Sequence, residues 1–519
     1  MELMSNLNMP NFSQPNADDS AMPILRETYP LKPPHSFALI QTDPLSNRTI
    51  YQVTETPLLT EESRIYNFIK DVLVEELDVD FKTLSNESKA EEYLKRQVNE
   101  TVRTYKLKLK PESLDKIMYY IDRDLIGYGP IEPLMHDHLI EDISLDGLNV
   151  PVYVWHRTYE SIATNIIFEN EDELDSFIIK LAQRSGRHIS IAQPLLDASL
   201  PDGSRLQLSF GREVTQKGST FTMRRFRSDP WTITDLIITN TVDPKIAAYY
   251  WYLIEHQMSI LICGGTASGK TSFMNSLSML LKPDLKVISI EDTAELNIGH
   301  ENWIPSVARG GFGSKNQDGS QRGEISMYDL LRAAMRQRPD FILVGEIRGQ
   351  EAYTLFQAMS TGHAAMGTIH GDSVQGVIGR LESAPMNVPR AMIKALDLIH
   401  VQQKVRLRGK FARRAVDITE VLDLDPNTKH LLTNKVYSWN SAKDNFTFYG
   451  RSYLIEKIKK ITGRTDKECW DEINRRELVL RWLMKKQIRH FRDVSAQIAE
   501  YYANPDKVYK KAERVVRGV

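Results

Sequence analysis

The sequence predicts an α/β chain in which a doubly wound parallel sheet follows an α+β domain. Three observations carry that expectation. A glycine-rich loop, Gly264-Gly265-Thr266-Ala267-Ser268-Gly269-Lys270-Thr271, stands between the apolar run 260–263 and a stretch in which Phe273, Leu277, Leu280 and Leu281 recur at helical spacing. Apolar runs at 286–290, 341–344 and 364–368 then alternate with helical stretches and end in polar groups, as βα units do. Upstream of residue 228, short strands and helices are mixed over about 100 residues without that order, as in an α+β domain.

The 519 residues exceed what one core can bury and suggest about three domains. With 66 basic and 68 acidic residues the net charge is −2, which argues against a protein coated by nucleic acid and leaves room for a local basic groove. Cys263 and Cys469 are the two cysteines, too few for a disulfide framework or a Cys₄ zinc site, so a reducing, cytoplasmic setting is expected. No apolar run approaches the roughly 18 residues of a membrane span, and no secretory signal is expected at the N-terminus.

Residues 1–58, rich in Pro, Asn, Ser and Thr, read as a partly ordered arm with at most one hairpin, at 37–40 and 50–53. The N-terminal α+β domain is expected over 59–227, first helical (61–77, 88–105 and 111–124), then a mixed sheet with a helix at 172–186. Ser228-Asp229-Pro230-Trp231 opens a linker, 228–232. The parallel-sheet domain follows over 233–425, interrupted at 309–323 by five glycines among polar residues, a mobile loop by composition. A mostly helical C-terminal region is expected over 426–519.

In an open parallel sheet a ligand lies beyond the carboxyl ends of the strands. The loop at 264–271 suits a polyphosphate: its N–H groups and a helix N-terminus would hold the oxygens, Lys270 would reach the β/γ-phosphates, and Thr271 would offer a hydroxyl to Mg²⁺. The other strands end in Glu291-Asp292, Glu346 and His370. Glu346 is the candidate for orienting an attacking water. Glu291 and Asp292 could hold Mg²⁺ or assist the base, and spacing does not divide those tasks; Glu295 suits the site or a helix start equally. His370 is placed to hydrogen-bond a γ-phosphate, while His363, seven residues earlier, suits the same task or packing against a turn. Arg205, Arg224 and Arg225, in the preceding domain, could bring charge to a phosphoryl group or make surface ion pairs.

These residues together resemble the secretion ATPase superfamily of type II and type IV systems, in particular its archaeal members that drive archaellum and pilus assembly. The likeness rests on Leu200-Pro-Asp-Gly-Ser-Arg205, the Walker A loop 264–271, the acidic box Ile290-Glu-Asp-Thr-Ala-Glu-Leu296, the Walker B stretch 336–348 and the histidine box 361–370; Glu132-Pro-Leu134 and Glu141-Asp-Ile143 look like the family's N-terminal domain. It spans about 120–425. The resemblance implies a RecA-like ATPase domain behind a mobile N-terminal domain, assembled as a homo-hexamer with Mg²⁺ and ATP between the two domains. Gly264 to Ser272, His363 and His370 would bind the nucleotide, Arg205 and Arg224 would face it, and Glu346 would be the catalytic glutamate. It further implies work at the cytoplasmic face of the membrane on a polytopic platform protein, and through it on pilin-like subunits. Many relatives carry Asp where Gly349 stands, which puts a local anchor in doubt. A DNA-translocating ring and a type IV secretion ATPase are the competing expectations; the absence of aromatic-plus-basic clusters in the linear sequence disfavours a nucleic-acid motor.

Overall fold

The computed structural model describes residues 24–43, 46–76, 87–226, 229–311 and 322–518. The chain divides between Phe226 and Arg227 into two units.

The first unit runs β1 (Ile24–Lys32), β2 (Ser36–Thr42), β3 (Thr49–Glu55), then after the helices α1 (Thr60–Glu76), α2 (Glu87–Thr104), α3 (Pro111–Ile121) and α4 (Glu132–Met135), β4 (Ile140–Leu145), β5 (Pro151–His156), β6 (Glu160–Ile167), α5 (Glu171–Arg184), β7 (Leu195–Ser199), β8 (Arg205–Ser209) and β9 (Thr220–Arg224), with the alternating burial of half-covered strands clearest in β2 and β5. They form one sheet in the order β1-β2-β3-β6-β5-β4-β9-β8-β7, antiparallel except where β3 meets β6. Leu174, Phe177 and Ile178 of α5 pack on its inner face, while α1, α2 and α3 close a separate small core around Ile69, Leu94 and Ile117.

The hairpin expected at 37–40 and 50–53 is β2 and β3, while the partly ordered arm expected over 1–58 is corrected over 24–55, where β1, β2 and β3 are three strands of this sheet. β2 and β3 bury Ala38, Ile40, Tyr51 and Val53 in the main core, and the Tyr29 and Tyr51 hydroxyls donate to the buried Asp137 carboxylate at 2.6 and 2.7 Å. Residues 1–23 lie outside the described residues.

The second unit runs α6 (Ile233–Ile238), α7 (Pro244–Glu255), β10 (Ile260–Gly264), α8 (Lys270–Ser278), β11 (Val287–Glu291), β12 (Trp303–Val307), α9 (Met327–Met335), β13 (Phe341–Ile347), α10 (Glu351–Ser360), β14 (Ala364–His370), α11 (Val374–Glu382), α12 (Arg390–Ile393), β15 (Leu398–Leu407), β16 (Lys410–Leu424), β17 (Leu431–Asn440), β18 (Asn445–Phe448), α13 (Tyr453–Thr462), α14 (Asp466–Lys485), α15 (Phe491–Ala503) and α16 (Pro505–Arg517). Its sheet has the order β12-β11-β13-β14-β10-β15-β16-β17-β18, parallel from β12 to β15 and antiparallel beyond. β10 and β11 are buried along their whole length, as strands covered on both faces must be. Ile260 and Ile262 point to one core with α7, α8 and the C-terminal helices; Leu261 and Cys263 point to the other, with α9, α10 and α11. Part of the composition-derived loop, 312–321, lies outside the described residues.

Residues 426–519 open with β17 and β18, which continue the sheet, and their helices share the core of the phosphate-loop strand. Arg476 of α14 is buried among the rings of Trp251, Tyr252 and Tyr501 and pairs with Glu255 and Glu472, tying α14 to α7 and α15.

His400 on β15 is fully buried, stacked on Phe273 at 4.0 Å, with Tyr250 Oη 2.7 Å from Nδ1 and Gln402 Oε1 2.8 Å from Nε2. Burial pushes its pKa down from 6.5 to about 4. The unfolded chain therefore takes up this proton first, so the contribution is whole above pH 6.5 and is lost as pH falls toward 4, about 3 kcal/mol in all at roughly 1.4 kcal/mol per unit. Urea unfolding of the full chain at pH 7 and pH 4.5 should show that loss, and His400→Gln should flatten it. An unchanged slope in the variant assigns the loss to other groups.

Candidate nucleotide site

β10 can turn where it does because residue 264 is glycine: a Cβ there would stand 2.1 Å from the Gln402 carbonyl oxygen of β15 and 2.5 Å from Ser268 Oγ. The chain then bends through Ala267 (φ 56°) and Gly269 (φ 91°), both left-handed, into α8. No side chain caps α8, so the N–H groups of its first turn are left to an anion. Lys270 is buried, and its Nζ donates to the carbonyls of Gly264 at 3.1 Å and Gly265 at 2.9 Å. Burial holds its pKa below the ordinary lysine value, against the opposing pull of Glu346. Thr266, Ala267 and Ser272 are exposed, Thr271 is half-buried, and Ser268 Oγ is buried with no hydrogen-bond partner.

The parallel register brings the other strand ends to the same edge: Gly264 lies beside His370 on β14 and beside Gln402 on β15. On β13 the pairing with β14 slips between Val344 and Ile347, a bulge of one extra residue at the position of Glu346. Glu346 Oε1 is 2.9 Å from His370 Nε2, a close polar contact without hydrogen-bond alignment, and Oε2 accepts from the Arg348 guanidinium. Burial raises the Glu346 pKa, but Arg348, His370 and Lys270 outweigh it and hold the carboxyl below its ordinary range, so it is ionised at neutral pH. Burial, reinforced by Lys270, lowers the His370 pKa.

Glu291 is 2 % exposed, and its Oε1 accepts from the backbone N–H groups of Glu295 and Leu296, both at 3.0 Å. Burial pushes its carboxyl up to about 7. It holds the acidic-box turn, whereas the Asp292 carboxylate is exposed and lies 3.8 Å from Arg348.

Two expected site residues have other partners within their own units. His363 precedes the first residue of β14, while the loop lies at that strand's carboxyl end, roughly 20 Å away for seven extended residues; within this chain it does not reach the site, and its Nδ1 lies 3.4 Å from Thr361 Oγ1. In the first unit the Arg225 guanidinium donates to the carbonyls of Met135 and Asp137, fastening β9 to the turn after α4. Arg205 and Arg224 face each other across β8 and β9, with Asp142 of β4 opposite Arg224 at 3.3 Å.

The sequence profile of the family described as type II/IV secretion system protein matches residues 124–501. The chain belongs to that family. The uncharacterized protein MJ0900 of Methanocaldococcus jannaschii is 38 % identical over 401 residues, 76 % of this chain and 71 % of the relative. The type IV secretion system protein PtlH of Bordetella pertussis is 28 % identical over 317 residues, 54 % of this chain and 90 % of its own. Among solved structures, the VirB11 ATPase of the Brucella suis type IV secretion system is 22 % identical, covering 58 % of this chain and 97 % of that one, with a TM-score of 0.28.

In this secretion-system protein the residues fit a nucleotide. The unpartnered Ser268 hydroxyl, the buried ammonium of Lys270 and the uncapped start of α8 are matched by phosphate oxygens. Among the described residues no group of three or more His, Cys, Asp or Glu side chains is placed to hold a metal, so Mg²⁺ would depend on the phosphates together with Thr271 and water-bridged carboxylate.

Sequence reasoning missed three residues of this site. Arg348 holds Glu346 and approaches Asp292. Glu351, in the first turn of α10, accepts from the N–H groups of Arg348 and Gly349, both at 2.6 Å, and so supplies the anchor that Gly349 left in doubt. Arg413 reaches the loop from β16. The first two lie within five residues of Glu346 and were within reach of a local reading; Arg413 carries no local signal.

Proposed function

We propose that this secretion-system ATPase couples Mg²⁺-dependent ATP hydrolysis to assembly of a type IV pilus-like filament or an archaellum, as a homo-hexamer at the cytoplasmic membrane face, acting on a polytopic platform protein and through it on pilin-like subunits. The observation that carries the reading is the ionised Glu346 beside His370 and Arg348 at the same sheet edge as the phosphate loop. Glu346 orients the attacking water and accepts its proton, Lys270 and the α8 N–H groups bind the β/γ-phosphates, and His370 donates to a γ-phosphate oxygen. Arg348 keeps Glu346 ionised and correctly turned. Bound Mg²⁺ supplies charge neutralisation on the phosphates. Arg205 and Arg224 stand directly opposite each other on β8 and β9; Asp142 balances Arg224, and a nucleotide phosphate would balance the second charge. Among the described residues no helix is long and apolar enough to cross a membrane, which suits a peripheral motor.

The second reading, a motor for type IV secretion, draws on PtlH. Capturing the membrane protein that co-purifies with the ring separates the two. Turnover should rise with anionic vesicles or the platform protein and change little with single- or double-stranded DNA; strong DNA stimulation falling steeply with salt would favour a translocase.

A further inference from the structure

The hairpin β15–β16 stands beside the phosphate loop as a wall. β15 is level with the loop at Gln402, which pairs with Gly264, and then continues through 403–407 beyond the carboxyl edge before β16 returns from Lys410. Paired positions share a face, so Lys404 with Arg413, and Arg406 with Phe411, form one row. Lys404 Nζ lies 3.9 Å from the centre of the Phe411 ring. This is a basic-aromatic patch that the linear sequence hides, because its members come from two strands.

At the inner end of that row, Arg413 touches the loop. Its Nε donates to the Ala267 carbonyl at 3.3 Å, and its Cδ lies 3.0 Å from where a Cβ on Gly269 would stand. Arg413 is exposed, and among the described residues no carboxylate forms an ion pair with it. The other basic groups, Lys270, Arg348 and His370, lie toward Glu346. Arg413 instead approaches from β16, at the Gly269 start of α8, where a phosphate loop holds α- and β-phosphates. A neutral carbonyl is a weak partner for a guanidinium, and a phosphate oxygen is a far better one.

We propose that Arg413 is a nucleotide-contacting residue of the same chain: on binding of a nucleoside di- or triphosphate its guanidinium leaves the Ala267 carbonyl and engages an α- or β-phosphate oxygen. The assignment rests on the nucleotide reading above. A contact to phosphates that do not react binds ground and transition states alike, so it acts on KM and not on kcat.

The test uses the full chain and Mg-ADP and Mg-ATP titrations, with steady-state turnover. Arg413→Ala should weaken both nucleotides equally, by about tenfold, with kcat changed less than about twofold. Arg413→Lys should recover part of the loss. Arg413→Gln, whose amide can still donate to the Ala267 carbonyl, should bind as weakly as Arg413→Ala, and Arg408→Ala at the hairpin turn should bind as the wild type does. Wild-type affinity in Arg413→Ala, or full recovery in Arg413→Gln, overturns the assignment; the second result would make Arg413 a support for the loop. A wild-type chain that binds neither nucleotide overturns the nucleotide reading as well.

Discussion

Lys270→Ala should leave a folded protein whose ATP turnover is lower by at least about a thousandfold, with nucleotide binding lost or severely weakened. The reason lies in where the ammonium sits. It is buried inside the loop between two carbonyls, so its desolvation is already met there, and a triphosphate arriving on α8 finds a fixed positive charge that needs no rearrangement. Alanine removes that charge and leaves the Gly264 and Gly265 carbonyls without this donor. Because a buried ammonium is a burden on folding, thermal unfolding of the variant should be little changed. Fluorescent-nucleotide titration together with a phosphate-release assay gives both quantities, and turnover within tenfold of the wild type would remove Lys270 from the site.

Glu346→Gln should separate binding from chemistry: nucleotide affinity close to wild type, turnover lower by about 10²–10⁴. The amide keeps the shape and can still accept from Arg348, but it cannot take a proton from water. The pH profile gives an independent check. A base must be ionised to act, and the Glu346 carboxyl of the nucleotide-free protein is held below its ordinary value, so the acid limb of kcat/KM should fall at or below the usual carboxylate range. An acid limb near 7 would instead match Glu291, which burial pushes up to about 7, and would transfer the proton-accepting role to it. Normal turnover in Glu346→Gln would leave that residue only a place in the ion-pair cluster.

The legible and illegible parts of this site differ in how far apart their causes lie along the chain. Gly264 to Thr271 carries its own instructions, since turn, helix start and lysine are contiguous, and a buried strand announces itself as an apolar run ending in charge, as at Glu291 and Glu346. The hairpin at 37–40 and 50–53 was legible and stands as β2 and β3; its place inside a nine-stranded sheet was hidden, because that depends on β6, more than 100 residues downstream, and on a tyrosine pair that meets Asp137. The bulge that sets Glu346 depends on register against β14, which no local pattern reports. The two tasks open to His363 could not be divided for a related reason: its histidine identity was legible, but the edge of the sheet it occupies is set by where β14 begins.

The roof that α13 to α16 make over Trp251, Phe273 and the inner side of β10 has a practical corollary for anyone who wishes to transplant this motor. A gene trimmed after residue 425 would discard Tyr437 and Ser452, the partners of Tyr249, and Tyr501 and Tyr502, the partners of Trp251, and leave an oily plane facing solvent, prone to clump. The smallest piece that keeps this core whole is Arg227–Val519. Chimeras between related machines should be spliced upstream of it, at the natural seam after Phe226, with the tail left attached to the strand that feeds the phosphate loop.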